Sequence, residues 1–238
     1  MKKSILLTLI TLLTIGLNAQ SLLPIKYGIK IGINSSNLKI SRTDKGIIEG
    51  VEPTDNSSQI GIAAGGCAHI PLSDKWFINP EVLYSQKGAS FDYKFTHDYE
   101  PSQRDTFNTT NQLTLSYVEL NPTISFKASD KLALNFGPSL SLLIGEKYTY
   151  SQKPTADPLN IADNTERFVE ASALDIGLNL GLSYFISEQF FVETRVYTGF
   201  VKAAEVTQPY AVVPEQDAPL PAYTLKNRAI VFSLAYLF

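Results

Sequence analysis

Few residues in this chain are equipped to make or break bonds. Its 238 residues contain two histidines, His69 and His97, and one cysteine, Cys67. Hydrolytic chemistry of the base–acid–nucleophile kind needs an imidazole, a carboxylate and a hydroxyl brought together. Only His97, with Asp98, Ser90 and Ser102 near it, offers those parts, and nearness along the chain is not geometry. His69 and Cys67 lie within one alternating segment and read as structural positions. A single cysteine excludes both a disulfide framework and a Cys-rich zinc centre. No stretch carries the oxygen spacing of an EF-hand. Gly61-Ile62-Ala63-Ala64-Gly65-Gly66 lacks the lysine and helix of a phosphate-binding loop. The expectation is no catalytic residue, no metal and no cofactor, hence a non-enzyme.

The richer chemistry is ionic. Lys30, Lys87, Lys127 and Arg195, with Glu81, Glu119, Asp175 and Glu193, all fall at the polar positions of segments that alternate polar and apolar residues. Charges confined on one face of a narrow structure must pair, because an unpaired buried charge costs several kcal/mol. Lys30 and Arg195 are expected to pair with Glu81, Glu119 and Glu193 and to plug the interior, with Lys87 and Asp175 in the same lumen network.

The elements that hold these residues repeat with period 2. In Tyr27-Gly28-Ile29-Lys30-Ile31-Gly32-Ile33-Asn34, every odd position is large and apolar and every even one is Gly, Lys or Asn. Similar alternation marks residues 59–70, 76–87, 117–127, 132–142, 174–183, 190–199 and 230–238, giving eight strands. Short polar connections at 71–75, 128–131 and 187–189 suit hairpins. They alternate with long ones near 37–57, 88–112, 146–170 and 201–224, which read as loops rich in acids and tyrosines, the aromatics either anchoring partners or extending the barrel as packed hairpins. This is an up-and-down antiparallel meander with both ends at the short-turn side.

An eight-stranded barrel has an interior just wide enough for side chains to fill. The face carrying glycine and charged residues is small enough to enclose, and the face of Leu, Ile, Phe and Tyr is not. The bulky face must point outward, where water would not tolerate it and lipid would. A closed barrel also satisfies every backbone N–H and C=O inside hydrocarbon. The fold expected is therefore all-β, an eight-stranded antiparallel transmembrane barrel with short periplasmic turns and four long extracellular loops. Tyr27, Trp76, Phe126, Tyr184, Phe190, Tyr236 and Phe238 fall at the short-turn ends, and Tyr84 approaches the opposite end, as aromatic girdles at the two bilayer interfaces would.

Composition agrees with this. The chain is 44% hydrophobic, 11% aromatic and 18% charged, which excludes disorder. Residues 1–20 read as a cleaved export signal: Lys2 and Lys3, an apolar run from Ile5 to Leu17, then Asn18-Ala19-Gln20. That run is shorter than the roughly 20 residues of a spanning helix. Without the signal, residues 21–238 carry 18 basic and 23 acidic side chains, a balance that excludes nucleic acid as a partner.

The chain resembles the small outer-membrane β-barrel proteins of Gram-negative bacteria labelled porin-family or PorT-like. The likeness rests on Tyr27–Asn34, Pro80-Glu81-Val82-Leu83-Tyr84-Ser85-Gln86-Lys87-Gly88 and Tyr117-Val118-Glu119-Leu120-Asn121-Pro122. It extends to Asn135-Phe136-Gly137-Pro138, Asp175-Ile176-Gly177-Leu178-Asn179-Leu180-Gly181 and the ending Phe232-Ser233-Leu234-Ala235-Tyr236-Leu237-Phe238. The long loops match nothing. The resemblance implies residence in the outer membrane among lipid and lipopolysaccharide, and a terminal aromatic read by the barrel-assembly machinery. It implies no reaction. The role expected is structural or surface-interacting: loop-mediated binding of a surface or envelope protein, envelope integrity or support of an export apparatus. A narrow channel for solutes or ions is the alternative, and an outer-membrane lipid hydrolase or acyltransferase a distant third.

Overall fold

The computed structural model describes residues 25–42, 55–100, 103–154, 169–207 and 222–238. The export-signal segment 1–20 lies outside them. Ten β-strands follow in chain order: β1 Lys26–Arg42, β2 Asp55–Pro71, β3 Trp76–Glu100, β4 Gln103–Lys127, β5 Leu132–Pro154, β6 Val169–Ala171, β7 Leu174–Phe185, β8 Phe190–Gly199, β9 Ala204–Thr207 and β10 Ala222–Leu237. Neighbours run β1-β2-β3-β4-β5-β7-β8-β10, and β10 pairs back onto β1, so the sheet closes. Every pairing is antiparallel.

The two shortest elements continue others rather than adding to the barrel. β6 precedes β7 by two residues, and β9 follows β8 after four. Backbone bonds carry the ladder across the breaks: the Leu143 N–H donates to Ala173 O at 2.9 Å, Ser172 to Ala203 O at 2.8 Å and Ala203 to Leu225 O at 2.7 Å. The result is a closed eight-stranded barrel, as the alternation predicts.

The short turns are built as their residues require. Leu72 and Ser73 N–H donate to Trp76 O at 2.8 and 3.0 Å, and Ser73 Oγ accepts from Trp76 N–H at 3.2 Å. Ser187 Oγ accepts from the N–H groups of Gln189 and Phe190 at 3.3 and 3.1 Å, a serine standing in for backbone in a tight turn. At the same end the Phe238 N–H donates to Tyr27 O at 2.7 Å, so the chain's last residue is tied to the first strand.

At the other end the strands run further than the alternating segments, and the packed-hairpin alternative holds for 88–112. Rather than a loop, β3 and β4 run through nearly all of it as one long hairpin with Phe95 opposite Phe107. Likewise β1 reaches Arg42 and β5 reaches Pro154, well inside stretches expected to be loops, and β10 starts at Ala222, just inside another. The remaining connections, 43–54, 155–168 and 208–221, lie outside the described residues.

The extension has a physical cause visible in β1. Large side chains occupy the odd, outward positions as far as Ile33 and the even, inward positions from Leu38, with no change of strand parity: Ile31 is 65% exposed and Leu38 fully buried. β4 repeats the switch, with Val118, Leu120 and Ile124 outward and Leu113, Leu115 and Tyr117 inward. Lower down, the outside is apolar and the inside polar, as hydrocarbon demands; higher up, the strands rise into water and enclose an ordinary core. That upper core comprises Leu38, Ala89, Leu113, Leu115, Tyr117, Ala203, Ala204 and Leu225. In β7 the outward apolar positions run from Leu174 to Tyr184, matching the roughly 9–11 residues by which a tilted strand crosses a bilayer.

Gly88 marks where β3 leaves regular pairing with β2, whose register shifts between Ser58 and Ala63. Its φ of 154° disfavours other residues, and a Cβ there would lie 1.9 Å from Leu113 O. The Ser36 hydroxyl bridges it, accepting from Gly88 N–H at 2.9 Å and donating to Gly88 O at 3.0 Å.

Candidate functional site

Among the described residues, the polar interior resolves into two charge clusters. In the lower one, Lys30 on β1, Glu81 on β3, and Glu193 and Arg195 on β8 form a closed ring. Lys30 Nζ lies 2.5 Å from Glu81 Oε1 and 3.0 Å from Glu193 Oε1. Arg195 lies 2.8 Å from Glu81 Oε2 through one terminal nitrogen and 2.9 Å from Glu193 Oε1 through Nε. Asn135 Nδ2 and Ser183 Oγ donate to Glu193 Oε2 at 3.1 and 3.2 Å. All four charged side chains are buried, and two anions face two cations.

Small neighbours make this ring possible. Lys30 is flanked in register by Gly65 on β2 and Ala235 on β10, Glu81 by Cys67, and Arg195 by Gly181 on β7. With no bulk at those inward positions, a β1 lysine reaches past β2 to a β3 carboxylate. Alternating signs inside a low-dielectric wall are what make burial of four charges tolerable.

The upper cluster lies toward the long-strand end. Lys87 Nζ is 2.7 Å from Glu119 Oε1 and stands over the Tyr197 ring, 3.5 Å from its centroid, with the Tyr117 ring at 5.5 Å. The Tyr197 hydroxyl donates to Asp175 Oδ2 at 2.7 Å, Asn227 Nδ2 to the same oxygen at 2.8 Å, and Asn227 Nδ2 also reaches the Tyr117 hydroxyl at 3.1 Å. The expectation that Glu119 joins Lys30 and Arg195 is therefore corrected. Glu119 sits in register with Leu83 and Ser141, two positions above the Glu81–Asn121 pair, where Lys87 is the cation within reach.

Apolar layers cover both clusters. Above them lies the core around Leu38 and Leu225. Below, Phe191 and Leu237 pack with Phe185, joined by Cys67 and Ala235 from the level of the ring. Phe185 meets Phe191 at 5.3 Å between centroids and Phe77 at 6.2 Å, and His69 stacks on Phe77 at 4.4 Å. Lys127, half-buried, holds its Nζ 6.0 Å from the Phe77 centroid. His69 Nδ1 lies 3.1 Å from Asn79 Oδ1. The side chains of His97, Asp98 and Ser102 lie outside the described residues, so the base–acid–nucleophile group sketched for them has no geometry here.

The outward aromatics take the positions their parity dictates. Tyr27, Trp76, Tyr184, Phe190 and Phe238 are exposed, and Phe126 and Tyr236 partly so. Trp76 packs on Phe126 at 4.9 Å, and Tyr236 lies between Phe190 at 4.7 Å and Phe238 at 5.3 Å. Tyr84 faces out toward the other end, its hydroxyl donating to Ser116 Oγ at 3.3 Å.

Sequence reasoning assigned no part to Tyr117, Tyr197, Asn227, Asn135 or Ser183. The available signal was size: Tyr117 and Tyr197 are large residues on the small face, and Tyr197 lies beside Gly177, where a Cβ would come within 2.5 Å of its ring.

A family model described as outer membrane protein beta-barrel domain matches residues 18–205. No curated protein matches the sequence. Among solved structures, the outer membrane protein OprG from Pseudomonas aeruginosa is 12% identical with a TM-score of 0.40, the match covering 90% of this chain and 94% of that one. Ail, the attachment invasion locus protein of Yersinia pestis, is 8% identical with a TM-score of 0.34, covering 90% and 98%. Neisserial surface protein A is 12% identical with a TM-score of 0.36, covering 88% and 97%.

Proposed function

We propose, from the premise that the chain belongs to the family of outer membrane protein beta-barrel domains and resides in the bacterial outer membrane, that it is a sealed, non-enzymatic barrel with a structural or surface-interaction role. Within the family we read it as a PorT-like member, on the residue runs quoted above. The observation that carries the reading is the neutral ring of Lys30, Glu81, Glu193 and Arg195 set between two apolar layers. An ion crossing the lumen would have to displace a paired charge and pass both layers, each costing several kcal/mol.

With its interior sealed, the protein meets its surroundings through its outer wall and its long-strand end. The outward aromatics anchor the wall at the bilayer interfaces, among lipid and lipopolysaccharide, after delivery by the barrel-assembly machinery. The extended β3–β4 hairpin is the surface on which a partner protein of the envelope or cell surface would dock. Planar-bilayer recording tests the sealed lumen: the reconstituted protein is expected to show no steady current. Steady open currents, altered in size by Glu81→Ala, would instead establish the narrow channel.

A further inference from the structure

Among the described residues, the buried charges of the lumen leave one carboxylate without a cation. Its buried carboxylates are Glu81, Glu119, Asp175 and Glu193, and its buried cations are Lys30, Lys87 and Arg195. Glu81 and Glu193 share Lys30 and Arg195, and Glu119 takes Lys87. Asp175, which has no exposed surface, has no cation within ion-pair distance among the described residues. Lys127 does not supply the charge, because it lies at the short-turn end against Phe77.

Asp175 is also half-satisfied. Both of its donors, Tyr197 and Asn227, bind Oδ2, and Oδ1 has no hydrogen-bond partner. Ser141, directly across from Asp175 on β5, is fully buried with its Oγ unpartnered, and the Oδ1 of fully buried Asn227 is unpartnered too. Gly199 keeps the space beside the carboxylate open: a Cβ there would lie 3.0 Å from Asp175 Oδ1. A buried carboxylate oxygen without a partner, with an unpartnered hydroxyl in register across from it and an unpartnered amide oxygen on a side chain bonded to the same carboxylate, offers the oxygen donors a hard cation takes. One unit of charge balances these described buried groups, whereas a divalent ion would leave an excess positive charge among them.

We propose that the lumen binds one monovalent alkali cation beside Asp175, held by its Oδ1 with Ser141 Oγ and Asn227 Oδ1 as neutral ligands. This cation completes the upper cluster and links barrel stability to the ion. The site depends neither on the outer loops nor on the surface role proposed above.

The test refolds the full mature chain into detergent micelles in sodium chloride or, at equal ionic strength, in N-methylglucamine chloride, whose cation is too large for the lumen. The wild-type unfolding midpoint is expected to be higher in sodium and to climb with the logarithm of its concentration. Asp175→Asn is expected to lose that dependence while remaining at least as stable as wild type in N-methylglucamine. Should that variant not fold, wild-type crystals grown in thallium(I) are expected to show an anomalous peak beside Asp175 Oδ1. Identical wild-type midpoints in the two salts, no thallium peak at Asp175, or an infrared band of a protonated carboxyl that vanishes in Asp175→Asn would each overturn the proposal. Bilayer current is a separate readout, so failure here is distinguishable from failure of the sealed-barrel reading.

Discussion

Replacing Glu81 by glutamine keeps the side chain's shape and removes one charge from a ring of four. Glu81 holds Lys30 on one oxygen at 2.5 Å and Arg195 on the other at 2.8 Å, and all three are buried. The variant leaves both cations facing Glu193 alone, a net positive charge enclosed by the wall. Removing one partner of a buried pair costs about 3–5 kcal/mol. The lower part of that range is expected, because Glu193 Oε1 already contacts both cations, at 3.0 and 2.9 Å. Lys30→Met produces the opposite imbalance at similar cost. The double variant restores neutrality, leaving Arg195 and Glu193 as an isolated pair, so it should be less destabilised than the two singles added together. The coupling should be at least about 2 kcal/mol. Urea titrations of the protein refolded into lipid vesicles supply the free energies, and the sole tryptophan, Trp76, packed on Phe126, reports unfolding. Single variants that each cost less than about 0.5 kcal/mol, or costs that simply add, would refute the ring as a coupled unit.

Two other substitutions probe the wall. Leu180→Arg places a charge on the lipid face midway along β7, where Leu180 is 61% exposed, and is expected to cost about 2–4 kcal/mol in the same titration. Gly177→Ala sets a Cβ 2.4 Å from Thr198 O and 2.5 Å from the Tyr197 ring, so it should displace that ring, weaken the Tyr197–Asp175 hydrogen bond and cost about 1–3 kcal/mol.

Much of this barrel is legible in the chain because lipid and a narrow lumen both constrain residue type by parity. Ile29, Ile31 and Ile33 alternate with Gly28, Lys30 and Gly32, and that pattern yields the strand, its outward face and its inward charges together. The same reasoning fails above the bilayer, because there the rule reverses. Phe91, Tyr93 and Phe95 alternate with Asp92, Lys94 and Thr96 as plainly as any spanning segment, yet a reading tuned to one apolar face leaves a loop and a packed hairpin equally open there. The switch between Ile33 and Leu38 was likewise visible and marks where the outside changes from hydrocarbon to water. The clusters were legible only in part. Parity identifies which charges point inward but not their heights, so it groups Glu119 with Lys30 and Arg195 where the structure pairs it with Lys87. Register, which determines height, depends on turn lengths and on irregularities such as the one at Gly88 that no local pattern announces.

The orientation of the two faces is tested most directly by nuclear Overhauser contacts between side-chain methyls and lipid acyl chains, with the protein in nanodiscs. Ile29, Ile31, Ile62 and Leu180 are expected to show strong contacts to acyl methylenes, whereas Leu38, Leu83 and Val231 show none. Acyl contacts at Leu38, Leu83 and Val231, with the outward isoleucines silent, would contradict the account.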